Sequence, residues 1–301
     1  MRAARAVGLA LVLTVLASGC EDEPFVPPIE VTYDVAARSI LSPFPSDRYT
    51  VADPASPTGL RVAIDRGSTT DTLVTSFPAM VSQLGELDGF STIAGVAINF
   101  SGALDLRGLT VAPNADPPVL DPPRPPSAYE SKDAPLALVD VDPSSPERGK
   151  LHPLVVRYFE QRAETGLAVD DTLVAAPAVP LRPRTRYLFV ATRDLSARSG
   201  GKVQPSPEML RLLGGPPADD YERKVDAALA VYEAVTGRPR KRLAVATVFT
   251  TESVTTDLER LARGARSRPP PAAAGPFVVE RPLTGDGRVR FRASFHAPEY
   301  R

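Results

Sequence analysis

The chain has 301 residues but only one cysteine, Cys20, and no tryptophan. A single thiol cannot form a disulfide within the chain, and it cannot supply a zinc site built on several cysteines. The formal net charge is -1 and aromatic residues make up 6%. A balanced charge provides no field to attract nucleic acid, and few aromatic rings leave few platforms for base stacking. We therefore expect no nucleic-acid partner.

Histidine is also scarce, and the G-x-S-x-G elbow of serine hydrolases is absent from the sequence. A Ser-His-Asp triad needs a histidine within hydrogen-bond reach of both a nucleophile and a carboxylate. His152 precedes Pro153 at the start of a predicted strand, and His296 lies on the arginine-rich face of the last predicted strand. We interpret both as surface or strand-end residues, so the sequence predicts no catalytic residue.

Proline, in contrast, is abundant, with 33 residues that occur in clusters. Because proline breaks helices and favours loops and edge strands, this composition argues against a helical bundle. Alternating apolar and polar residues predict strands at 96–100 and 288–296. Further strands are predicted at 59–64, 106–111, 135–141, 154–159, 186–192 and 243–249. Helices are predicted at 79–87, from a capping box at Asp219 to a stop at Gly237, and after a cap at Ser253.

The N-terminus has the three parts of a bacterial export signal. Two arginines precede an apolar run from Val7 to Ala17, which is too short to span a bilayer core of ~30 Å. The run ends in Leu16-Ala17-Ser18-Gly19-Cys20, which resembles the lipobox of bacterial lipoproteins. The resemblance implies that Cys20 is acylated and that the membrane is a partner through this anchor. An ordinary secretory signal with a coincidental cysteine is the alternative.

These features predict five segments. A signal peptide (1–19) is followed by a tether (20–42), a β-rich module with helical insertions (43–267), a proline-rich linker (268–275) and the start of a further domain (276–301). Glu21 follows the cysteine, which in enteric bacteria favours the outer membrane. We expect a lipid-anchored protein of the outer membrane or cell surface, on its periplasmic or extracellular face.

Several short motifs resemble the N-terminal region of the bacterial virulence-factor lipase family. They are Pro43-Phe44-Pro45-Ser46-Asp47, Leu87-Asp88-Gly89-Phe90-Ser91-Thr92 and the strand Ile98 to Phe100 continuing to Asp105. Leu181 to Tyr187, with Asp194-Leu195 and Gly200-Gly201, is similar to a hallmark of bacterial Ig-like modules, and so is Val248-Phe249-Thr250-Thr251. The resemblance covers roughly residues 40 to 265.

In that family the N-terminal region is a non-catalytic β-rich module, and an α/β-hydrolase domain follows it. The resemblance thus implies an Ig-like β-sandwich with two or three inserted helices. It also implies that the last strand stands where a hydrolase domain would begin. The chain is then a truncated product, one half of a split gene, or a stand-alone relative without the enzyme.

Two further groups of residues are candidate binding sites. Asp140, Asp142 and Glu147 surround a Pro-Ser-Ser-Pro turn and are weak candidates for a calcium site, because they lack EF-hand spacing. The basic cluster Arg238, Arg240, Lys241 and Arg242 follows a helix, where the helix dipole favours cations, and could contact lipid headgroups. Ser199-Gly200-Gly201-Lys202 lacks the first glycine of a phosphate loop and is interpreted as a turn. No cofactor is predicted.

The function predicted from the sequence is therefore that of a membrane-anchored, non-catalytic accessory module of a lipase- or esterase-like surface protein. One alternative is a hydrolase whose catalytic domain is unrecognised or missing from this chain. The other is a surface adhesin or substrate-binding lipoprotein, which an aromatic concave surface would favour.

Overall fold

The computed structural model describes residues 26–33, 42–64, 78–106, 125–159, 171–268, 274–280 and 290–294. The strands are β1 (Ile29–Val31), β2 (Thr50–Ala52), β3 (Leu60–Val62), β4 (Val96–Phe100), β5 (Leu136–Asp140), β6 (Leu154–Phe159), β7 (Asp171–Pro177), β8 (Arg186–Thr192), β9 (Val203–Pro205), β10 (Leu243–Thr250), β11 (Val278–Glu280) and β12 (Arg290–Arg292). The helices are α1 (Pro78–Leu84), α2 (Pro207–Gly214), α3 (Asp220–Thr236) and α4 (Thr256–Ser267).

Two sheets contain most of the strands. The larger has the order β6-β7-β4-β1-β9, in which only the β1–β9 pair is parallel. The smaller has the order β10-β8-β5 and is antiparallel throughout. Two short hairpins, β2–β3 and β11–β12, complete the described strands. The predicted β-rich class is confirmed.

The smaller sheet lies at the centre of the molecule. Every residue of β5 and β10 is buried, so both faces of these strands are covered. Helices α2 and α3 pack on β10, and residues from both sheets share a single apolar core. Because burial on both faces replaces the usual alternation, these strands appear in the sequence as continuous apolar runs.

Helix α3 begins and ends where its sequence predicts. The Asp219 side chain accepts a hydrogen bond from the Glu222 amide at 2.8 Å, and Gly237 ends the helix in the left-handed region at φ 72°. The capping box is only half formed. The Glu222 carboxylate does not return to the Asp219 amide but accepts from the Ala218 amide at 2.6 Å and pairs with Arg211.

Two predictions of element bounds were wrong. The tether predicted over 20–42 contains β1, whose Val31 is fully buried between β4 and β9. The neighbouring prolines conceal its short apolar alternation. The cap predicted at Ser253 lies three residues before α4, whose capping position is Thr255, and the Ser253 amide donates to the Asp88 carboxylate at 2.9 Å. The strand predicted over 106–111 lies outside the described residues, apart from its first residue.

Candidate functional site

Cys20 and His296 lie outside the described residues, so acylation of Cys20 stays a prediction.

The acidic candidates Asp140, Asp142 and Glu147 lie within the described residues. Asp140 accepts hydrogen bonds from the Asp142 amide at 3.1 Å and the Ser145 hydroxyl at 2.5 Å, while Glu147 pairs with Lys150 at 2.7 Å. These carboxylates therefore accept hydrogen bonds from, or form ion pairs with, donors in the same loop. Within the described ranges, no group of three or more His, Cys, Asp or Glu side chains could hold a metal ion.

His152 lies before β6, at the strand end that the sequence predicted, but it is buried rather than on the surface. It is 3% exposed and its ring meets the Tyr187 ring edge-on, with centroids 5.4 Å apart. Neither ring nitrogen has a hydrogen-bond partner among the residues that the structure describes. Burial lowers the pKa of His152 and so favours the neutral imidazole. Without a nucleophile or carboxylate on either nitrogen, it has no triad geometry.

The basic cluster is mostly neutralised by ion pairs. Arg238 and Arg242 both pair with Asp194, and Arg240 pairs with two acids of α3. Lys241 is exposed, and no acidic side chain in the described part of the chain forms an ion pair with it. Ser199 to Lys202 forms a turn, as expected, with Gly200 at φ 91°.

The motif Val248 to Thr251 ends β10, and three of the other four motif segments meet it there; we call this place the Thr250–Thr251 junction. Its first contact comes from Asp47 in the opening motif. One oxygen of the Asp47 carboxylate accepts from the Thr250 amide at 2.7 Å, and the other accepts from the Thr250 hydroxyl at 2.8 Å. The Asp47 side chain is fully buried, with Lys224 Nζ 3.5 Å away. Burial raises the pKa of the Asp47 carboxyl, and Lys224 opposes that effect.

The second contact comes from the Leu87 to Thr92 motif. The Phe90 amide donates to the Thr250 carbonyl at 2.9 Å, and the Glu252 amide donates to the Phe90 carbonyl at 2.8 Å. A Cβ on Gly89 would lie 2.7–2.8 Å from backbone atoms of Thr250, Thr251 and Glu252. Only glycine therefore lets the two backbones approach this closely.

The third contact comes from the Leu181 to Tyr187 motif. The Thr251 hydroxyl donates to the Arg182 carbonyl at 2.6 Å and accepts from the Thr185 amide at 3.0 Å. The Thr251 amide donates to the Thr185 carbonyl at 3.0 Å. The junction residues therefore use their hydrogen-bonding groups on one another, which makes the junction a structural tie between segments distant in sequence.

A cavity of about 640 Å³ opens beside the junction, lined by Asp47, Arg48, Thr50, Val51, Ala52, Leu60, Asp219, Asp220, Tyr221 and Lys224. The Arg48 guanidinium lies 4.9 Å from the ring centroids of both Tyr33 and Tyr49, which holds it by cation–π contact. Burial raises the pKa of the Tyr221 hydroxyl, which accepts a hydrogen bond from Ser46 at 3.0 Å. The lining mixes both signs of charge and contains no histidine.

Sequence reasoning quoted Asp47, Thr250 and Thr251 but assigned them no role. Their signal in the sequence is that they belong to the quoted motifs, but those motifs do not show that Asp47 and Thr250, 203 positions apart, are in contact. None of the described helices has the length and apolar character needed to cross a membrane. Comparison of the chain with protein-family models, curated proteins and solved structures finds no match.

Proposed function

We propose that this chain is the lipid-anchored, non-catalytic accessory module of a lipase- or esterase-like protein of the bacterial outer membrane or cell surface. Its acyl anchor is on Cys20. The β-rich part places the protein's partner hydrolase, a following domain or a separate chain, at the membrane.

The Thr250–Thr251 junction is the observation that supports this proposal. Two of the motif segments that resemble the lipase family's N-terminal region, Pro43 to Asp47 and Leu87 to Thr92, form hydrogen bonds to the end of β10 rather than an open reactive site. His152, the histidine in the described part of the chain, is buried, and its ring nitrogens have no hydrogen-bond partner among the described residues. Buried hydrogen bonds of this kind stabilise a scaffold but present no group to a substrate, which a catalytic group must reach.

The proposed architecture of the module is an Ig-like sandwich with inserted helices. Its support is a contact near the start of β8, where the Arg182 amide donates to the Tyr187 hydroxyl at 3.0 Å. A tyrosine at the start of a strand that bonds the backbone a few residues upstream is typical of Ig-like sandwiches, in which it is called a tyrosine corner. The two main sheets also share one apolar core, as the sheets of a sandwich do.

The anchor is tested by substitution at Cys20. In a bacterial host fed a radiolabelled fatty acid, we expect the wild-type chain to carry label and to sediment with membranes. Cys20→Ser removes the thiol and should abolish both, whereas Ser18→Ala keeps a small residue before the cysteine and should change neither. Label or membrane association that persists in Cys20→Ser would overturn the proposed anchor.

A further inference from the structure

A second cavity, of about 310 Å³, lies between helix α2 and the short 3₁₀ helix Arg240–Arg242 that precedes β10. It is lined by Arg193, Leu210, Leu213, Gly214, Arg240 and Lys241. This volume is at the lower end of the range for small-molecule sites, which is ~300–1,000 Å³. Its lining combines two leucines with three cations and contains no acid.

The apolar part of the lining comes from α2. Met209, Leu212 and Leu213 of this helix are buried in the core, but Leu210 is 54% exposed. A leucine this exposed at the edge of a cavity offers apolar surface that a ligand would remove from water. Gly214 adds no side chain, and a Cβ built on it meets no heavy atom within 4 Å, so this side of the cavity is open.

The cations of the lining differ in what they already bind. Arg240 is committed to Asp226 at 2.6 Å and to Glu233 at 3.3 Å. The Arg193 side chain donates through its Nε to the Leu243 carbonyl at 3.3 Å. Among the residues that the structure describes, no acceptor occupies the Arg193 terminal nitrogens or Lys241 Nζ. Two cationic donors therefore remain available beside an apolar surface.

We infer that this cavity binds an anion with an apolar tail, and specifically the carboxylate of a free fatty acid. The carboxylate accepts hydrogen bonds from Arg193 and Lys241, which are stronger than those between neutral groups. The tail lies along Leu210, whose exposed surface it covers. The choice of a fatty acid over other tailed anions rests on the proposed function, because ester hydrolysis beside the module releases fatty acids.

Calorimetric titration of dodecanoate, below its critical micelle concentration, tests the inference. The protein is the full chain carrying Cys20→Ser, so that no acyl chain of its own competes. Lys241→Glu, Leu210→Asp and the cavity-filling Gly214→Leu should each weaken dodecanoate binding about tenfold or more, since each removes a charge-assisted bond, apolar contact or space. Lys202→Glu, an equal charge change at an exposed lysine outside the cavity, is the control and should leave binding unchanged.

Two further ligands test the apolar and the charged parts of the site separately. Dodecanol has the tail without the charge and acetate has the charge without the tail, so both should bind at least tenfold more weakly than dodecanoate. Equal binding of dodecanol, or unchanged binding in all three cavity variants, would overturn the inference. Acylation of Cys20 is measured separately on the wild-type chain, so failure of this site would not be confused with failure of the anchor.

Discussion

Replacing Asp47 tests whether the Thr250–Thr251 junction holds the fold together. Asp47→Ala leaves the Thr250 amide and hydroxyl buried without an acceptor. An unsatisfied buried donor costs about 1–3 kcal/mol, so two should lower the free energy of unfolding by about 2–6 kcal/mol. That is a large part of a domain's total stability, which is typically about 5–15 kcal/mol. Urea unfolding followed by far-UV circular dichroism measures it, since the chain has no tryptophan to report by fluorescence.

The matched control is Asp133→Ala, which removes an exposed aspartate and should change stability by less than about 0.5 kcal/mol. Thr250→Val keeps the side-chain shape and removes only the hydroxyl. Since Asp47 and Thr250 are in direct contact, the double variant should show a coupling energy of about 0.5–3 kcal/mol. If Asp47→Ala is no more damaging than the control, or if the double variant is simply additive, the structural role of the junction is refuted.

Three further predictions concern backbone packing and pH. Gly89→Ala should destabilise the protein, because its Cβ would collide with the backbone after β10, whereas Gly264→Ala on α4 meets no atom within 4 Å and should not; equal urea midpoints would contradict this. Burial raises the pKa of Asp47, so wild-type stability relative to Asp47→Asn should fall as pH rises from about 4 through that raised pKa, and a constant difference would refute it. Burial lowers the pKa of His152, so the wild type should lose stability as the pH falls below about 6.5. If the stability of the wild type and of His152→Phe changes in parallel with pH, His152 does not titrate as inferred.

Much of the fold could be predicted from local sequence pattern. Strand β4 alternates apolar and polar residues, and β5 and β10 are apolar runs of strand length, so each was found near its observed bounds. Helix α3 was found from its cap at Asp219 and its stop at Gly237. Local chemistry determines these features, so a short window of sequence contains the signal.

Other elements depend on partners that a local window does not contain. Strand β1 has three residues that follow two prolines, and its place between β4 and β9 comes from pairing with residues far along the chain. Strand β7 was missed because Leu173 to Ala176 are all apolar, so the sequence does not show the alternation in burial that the folded strand has. Short strands are stabilised mainly by their neighbours, so their own sequence signals them weakly.

The candidate site shows the same limit more strongly. Asp47 and Thr250 are 203 positions apart in sequence, and only the folded chain shows that a carboxylate in the first motif bonds a threonine in the last. The cavity between α2 and the turn before β10 is likewise formed by segments that are separate in sequence. The basic cluster was visible in the sequence, but the ion pairs that leave Lys241 available were not.

The central claim, an acylated and non-catalytic module, is tested most directly by intact mass and p-nitrophenyl ester hydrolysis of the wild-type protein purified from its native membrane. We expect a mass that includes acyl chains on Cys20, and no hydrolysis by the purified chain unless a partner hydrolase or a further domain is present with it. An unmodified Cys20, or hydrolysis that belongs to residues 1–301 alone, would contradict the account.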